Sequence, residues 1–224
     1  MTGVLYSWPD AARFGKPITK SKFYEQGVVT PAVRARFAAE VESITWAYKL
    51  AESTINLPSN NEVPEIQVLV IQAKGVDVDD TVLTTIDKAI KQPVLFEIAT
   101  AQRTRMTATV KAGSSGGRYY SSEWSQGDAR RPLPPSVTLP NLYTALLDSL
   151  LPIRVRRGEK LTELADRLAA TARLEREISA LTRKLRAEPQ LNRKVELRRA
   201  LNTHKASLAD LTNSTTTSTV TKTN

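Results

Sequence analysis

Glu65-Ile-Gln-Val-Leu-Val-Ile-Gln72, EIQVLVIQ, is the stretch whose reading decides the fold. It is short, β-branched and almost continuously apolar, the pattern of a central strand covered on both faces. Gly75 and the acidic turn Asp77-Val-Asp-Asp80 follow it. Val82, Leu83, Ile86, Ala89 and Ile90 then fall at helical spacing. Acidic residues stand at the start of that helix and Lys88 and Lys91 at its end, as the helix dipole prefers; Pro93 stops it. Residues 94–98 and 105–110 read as two strands joined by a polar turn. Residues 113–117, GSSGG, read as a loop, and 119–124 as a further strand. If its strands are parallel neighbours, the first strand-helix-strand unit is a right-handed crossover.

Upstream, Thr30-Pro31 is a helix N-cap followed by proline at the first helical position. Val33, Phe37, Val41, Ile44 and Tyr48 continue at spacings that predict one helix to about Leu50. Residues 1–29 read as irregular, with a short turn or helical start at 20–24. The expected order, α-β-α-β-β-β, gives an α/β or α+β domain over residues 1–153, a small mixed sheet with flanking helices.

Downstream, residues 126–140 are a proline-rich, extended connector. Leu142, Tyr143, Leu146, Leu147, Leu150 and Leu151 form a short apolar helix ending at Pro152, expected to pack on the sheet. From Gly158 the pattern changes. Leu161, Leu164, Leu168, Leu174, Ile178, Leu181 and Leu185 recur every three or four residues. Beyond Pro189 the same holds for Leu197, Leu201, His204, Leu208 and Leu211, a seam of the coiled-coil kind. Proline cannot continue a helix but is tolerated where one starts. Residues 158–211 therefore predict an antiparallel helical hairpin, with a first helix ~45 Å long. The polar tail, 212–224, is expected to be disordered.

There is no cysteine, which removes disulfides, thiolate metal sites and cysteine nucleophiles. The single histidine, His204, sits at a seam position and nearly excludes a zinc site or a histidine triad. The N-terminus lacks the features of a signal peptide, and no apolar run approaches a membrane span. A soluble cytoplasmic protein without cofactor or metal is expected. Of the net charge of +9, residues 1–153 supply little, with 16 basic and 15 acidic side chains, whereas residues 154–205 carry 15 basic and 7 acidic. A one-sided field of this kind suits a polyanion or an acidic protein surface. Arg183, Lys184, Arg186, Arg193, Lys194, Arg198 and Arg199 flank the turn at Pro189 and are the candidate partner- or nucleic-acid-binding residues.

Other constellations are weaker. Gln72-Ala-Lys74 at the end of the best strand, with Glu40 upstream, is a conceivable variant of a metal-dependent nuclease site. It is short of carboxylates, because no aspartate-bearing strand is expected before Gln72, and a solvated strand end explains it better. Asp77, Asp79 and Asp80 lack the spacing of a calcium loop and suit helix capping. The glycine loop has no following Lys-Ser/Thr and is not a P-loop. Trp46 and Tyr48 are expected in the core; Tyr119 and Trp124 remain open between core and base stacking.

The chain also resembles the bacterial domain-of-unknown-function family 4391. The resemblance lies in Lys20-Ser-Lys-Phe-Tyr-Glu25, Glu42-Ser-Ile-Thr-Trp-Ala-Tyr-Lys-Leu50, Thr54-Ile-Asn-Leu-Pro58, Pro93-Val-Leu-Phe-Glu-Ile98 and Gln190-Leu-Asn-Arg-Lys-Val-Glu-Leu197. It implies a setting beside helicases and DNA methyltransferases in restriction-like defence loci against phage, and carries over no catalytic residues. The expectation is a non-enzymatic accessory subunit that docks such a partner, DNA, or both through the basic hairpin. Self-association through the hairpin is a further possibility. The alternative is a metal-dependent nuclease using Glu40, Gln72 and Lys74.

Overall fold

The computed structural model describes residues 5–25, 29–111, 117–127 and 129–213. The chain divides into two compact units, one ending at Leu151 and the other beginning at Pro152. The first unit runs through a 3-10 turn Asp10–Ala12, β1 (Arg13–Pro17), α1 (Lys20–Glu25), α2 (Pro31–Glu40), β2 (Val41–Ala51), α3 (Glu52–Ile55) and β3 (Glu65–Ala73). It continues with α4 (Asp80–Ala89), β4 (Val94–Ala99), β5 (Arg103–Thr109), β6 (Tyr119–Ser121), β7 (Ser125–Gln126) and α5 (Leu139–Asp148). The second unit holds α6 (Leu161–Ala187) and α7 (Leu191–Thr212). The tail expected to be disordered lies, from residue 214, outside the described residues, as do residues 113–116 of the glycine loop.

The strands form one mixed sheet in the order β1-β2-β3-β4-β5-β6, with β7 also on β5. Only β3 and β4 are parallel, and α4 makes the crossover between them. All other pairs are antiparallel. β3 is central, as its continuous apolar run requires. The cap at Thr30 is present, its hydroxyl accepting from the Val33 amide at 3.4 Å.

Three expectations are corrected: the strand expected over 119–124 is two short ones, β6 and β7, each paired with β5, and the other two lie upstream. The helix beginning at Pro31 stops at Glu40, and residues 41–51 are a strand antiparallel to β3. Ile44, Thr45, Trp46 and Tyr48 are β-branched or aromatic, and β3 offers them a ladder that a longer helix would forgo. Register shifts between Val41 and Ser43 and between Trp46 and Tyr48 interrupt the two-residue alternation. The first extra residue lengthens the step between the buried Val41 and Ile44 from two to three, and the second moves Tyr48 to the opposite face, so the spacing imitates one helical stripe although its residues do not share a face. Residues 13–17, expected to be irregular, form the edge strand β1. There Gly15 takes a positive φ of 66° and the register again shifts, between Arg13 and Lys16.

One face of the sheet packs Leu69, Ile71, Phe96 and Ile98 against Phe23, Phe37, Val82, Leu83 and Ile86 from α1, α2 and α4. The alternate residues Ile66, Val68, Leu95 and Met106 are equally buried, as are Leu139, Leu142, Tyr143, Leu146 and Leu147 of α5. The Tyr143 hydroxyl donates to the Thr109 carbonyl at 3.0 Å, and burial pushes its ionisation well above the ordinary tyrosine range.

A carboxylate is buried in this core. Glu97, in the middle of β4, is 2% exposed. It accepts two bonds from the Arg130 guanidinium, at 2.7 and 2.8 Å, and one from the Trp8 indole at 2.6 Å. Arg130 also donates to the Tyr6 carbonyl at 2.8 Å. Satisfying the charge on both oxygens is what makes its burial tolerable. The same bonds fasten the N-terminal segment and the proline-rich connector to the sheet. Glu97→Ala would strand the guanidinium and the indole, so it is expected to lower the unfolding free energy by about 3–5 kcal/mol. Urea titration reads this directly, and Glu97→Gln, which retains an acceptor, should lose less.

Candidate docking surface on the helical hairpin

α6 is about 40 Å long and α7 about 33 Å at 1.5 Å per residue, joined by three residues, 188–190. The Glu188 amide still bonds to the Lys184 carbonyl at 3.0 Å, after which Pro189 ends the ladder. The Gln190 amide turns back onto the Glu188 carboxylate at 3.0 Å, and α7 begins at Leu191. The helices run antiparallel, because Arg167, early in α6, reaches the Leu211 carbonyl at 2.8 Å, late in α7. Halfway along, His204 Nε2 lies 3.2 Å from the Glu177 carboxylate. His204 is thus a cross-helix polar contact on the seam.

The end of the hairpin away from the turn is held by a buried ion pair. The Arg167 guanidinium binds both Glu159 oxygens, at 2.6 and 2.7 Å, as well as the carbonyls of Leu211 and Arg154 at 2.8 Å each. Both side chains are 5% exposed. The Arg156 amide adds a bond to Glu159 at 3.0 Å, and its guanidinium donates to the Asp210 carbonyl, also at 3.0 Å. Burial by itself raises the Glu159 carboxyl, but the bonds from Arg167 and Arg156 outweigh it and bring the group below the usual glutamate range.

Packing thins towards the turn. Leu161, Leu164, Leu168, Thr171, Leu174 and Leu201 are buried, whereas Ile178, Leu181, Leu185 and Leu197 are only half-buried. Around the turn stand the expected cations. Arg183, Lys184, Arg186, Arg193, Arg198 and Arg199 are exposed and Lys194 is half-buried. Of these seven, Arg193 has an ion pair among the described residues, with Glu188 at 3.6 Å. At such exposure that contact contributes little.

Two residues of this surface escape a reading based on the seam. Leu191 is 76% and Val195 44% exposed. At 100° per residue they lie about 120–160° round α7 from Leu197, so α6 cannot cover them. Their spacing of four, off the seam, was the available signal.

In the first unit, Glu40 and Lys74 do come together, the Lys74 amide donating to the Glu40 carbonyl at 2.8 Å. Their side chains hold the backbone. The Lys74 ammonium donates to the Ala38 carbonyl at 2.7 Å, at the end of α2, where a cation is favoured. Glu40 accepts from the Asp79 amide at 2.8 Å and lies 3.5 Å from Arg36. Gln72 is half-buried on β3, opposite Ser43. A strand does precede β3, but its acidic residue, Glu42, is exposed.

The acidic turn caps α4 as expected: Asp79 accepts from the Thr81 amide and hydroxyl at 2.8 and 2.6 Å, which holds its carboxyl below the usual range. Asp77 pairs with Arg105 at 2.7 Å. Glu40, Asp77, Asp79, Asp80 and Arg105 line a shallow cleft of about 610 Å³. Among the described residues, no three acidic or histidine side chains are placed to hold a metal ion. Trp46 donates to Gln67 at 2.7 Å and Tyr48 packs 6.1 Å from Trp8, so both serve the core. Trp124 lies under Arg103 and Arg105, at 4.3 and 5.1 Å, and Tyr119 is buried against Phe96.

Arg167→Ala would leave a buried carboxylate and is expected to destabilise the hairpin by about 3–5 kcal/mol. Hydrogen exchange of α7 amides would report it. Because the Glu159 carboxyl is lowered in the folded state, its contribution is full above the unfolded glutamate value and disappears as pH falls through the folded one. Glu159→Gln should therefore flatten the acid limb of the stability profile.

No helix among the described residues is long and apolar enough to cross a membrane. No curated protein and no solved structure matches the chain. A family model described as "Domain of unknown function (DUF4391)" matches residues 7–208. That span covers both the sheet unit and nearly all of the hairpin, and the chain belongs to this family.

Proposed function

We propose that the protein is a non-enzymatic accessory subunit that docks a larger protein of a DNA-processing, restriction-like phage-defence assembly through the tip of its hairpin. One observation carries the reading. Arg183, Lys184, Arg186, Lys194, Arg198 and Arg199 stand round one turn with no ion pair among the described residues. The leucine seam that builds the hairpin needs none of them, and side chains of one sign crowded together repel one another. Such a surface gains from an anionic partner in both attraction and encounter rate. A helicase or DNA methyltransferase is the partner class implied by the family resemblance. The nuclease alternative is less well supported, since the Glu40 and Lys74 side chains are engaged in capping and turn contacts.

The test is affinity capture from the producing cell after nuclease digestion. A helicase or methyltransferase is expected with the wild-type chain and not with Arg193, Lys194, Arg198 and Arg199 all replaced by Glu. Unchanged capture by that variant would remove the hairpin from the account. With duplex DNA and Mg2+, the wild type and Lys74→Ala are both expected to leave the substrate intact. Metal-dependent cleavage that disappears in Lys74→Ala would instead establish the nuclease.

A further inference from the structure

We propose that the outer face of α7 at the hairpin tip receives an amphipathic helix of the partner, apolar along one stripe and rich in aspartate and glutamate beside it. The inference rests on the docking role above and names the chemistry of what docks. Leu191 and Val195 are one helical turn apart and share a face. Scattered exposed apolar residues are ordinary. Four large ones are exposed among the described residues, and two of the four form this pair. Arg198 and Arg199 lie on either side of the line that continues from Leu191 and Val195 along α7, at about 100° and 200° from Leu197. Along that line the next outward positions are Asn202, Ala206 and Ala209, small or neutral side chains that would let another helix lie close.

Charge decides between occupants. Residues 183–199 carry seven basic side chains and two acidic ones, Glu188 and Glu196, and Glu188 already faces Arg193. A second copy of this chain would set the same positive excess against itself. A phosphate backbone would use the arginines but offer nothing to Leu191 and Val195. A helix with an apolar stripe flanked by carboxylates satisfies both sets at once. Covering the two apolar side chains also excludes water from the surrounding ion pairs and strengthens them.

The experiment uses the full chain and fluorescence anisotropy. The probes are a helical peptide of about twenty residues with a leucine stripe flanked by glutamates, a peptide of the same composition shuffled to destroy the stripe, and a short duplex DNA. Circular dichroism confirms that each variant keeps its helices. The striped peptide is expected to bind about tenfold or more tightly than the shuffled one. Leu191→Ser with Val195→Ser, and separately Arg198→Gln with Arg199→Gln, should each weaken it about tenfold. The first pair should leave any DNA binding unchanged. Equal binding of the two peptides, indifference to the Leu191 and Val195 changes, or a dimer in sedimentation closed through this face would each overturn the inference. Cellular capture that survives Leu191→Ser with Val195→Ser but not the four-charge reversal would retain the docking function and discard the helix.

Discussion

Two helices without a third can bury only the strip along which they touch. That constraint governs the C-terminal unit. Pro189 makes α6 and α7 antiparallel, and the seam then accounts for Leu174 and Leu201 completely but for Leu185 and Leu197 only in part. Everything outside the strip needs cover other than the facing helix, or stands in water. Near Arg167 the requirement is met internally, by a buried ion pair that also ties down two backbone carbonyls. Around the turn nothing comparable occurs, and cations stand there beside Leu191 and Val195.

The sheet unit treats its charged residues differently. Glu97 is neutralised by Arg130 and tied to Trp8. Lys20 and Lys74 both point at carbonyls at the end of α2, where the helix dipole is negative; burial and the neighbouring Lys74 lower the Lys20 ionisation. Lys111 does the same for α4, binding the carbonyls of Asp87 and Gln92 at 2.8 and 3.1 Å. Side chains that suggest chemistry when read in order along the chain are here occupied with ending helices and pinning segments. At the hairpin tip six of the seven cations have no ion pair among the described residues, and this contrast is what directs the functional reading there.

Much of the fold was legible because local signals agreed with the tertiary result. The apolar run at residues 65–72, the Thr30-Pro31 cap, the stop at Pro93 and the break at Pro189 each have one physical meaning, and each is realised. The strand at 41–51 was not legible, since bulges gave it a helical spacing and only its pairing with β3 reveals it. β1 was hidden for a related reason, being a short edge strand with a glycine turn and a shifted register. For the site, the clustered cations were visible as composition. That six of the seven lack an ion pair among the described residues required coordinates, as did the exposure of Leu191, because leucine in a leucine-rich helix reads as seam by default.

A photo-crosslinking residue in place of Leu191, activated in the producing cell, tests the central claim most directly. The account predicts covalent adducts with another protein, mapping to a segment that is amphipathic and acidic. Adducts confined to a second copy of the chain, or to nucleic acid, would contradict it.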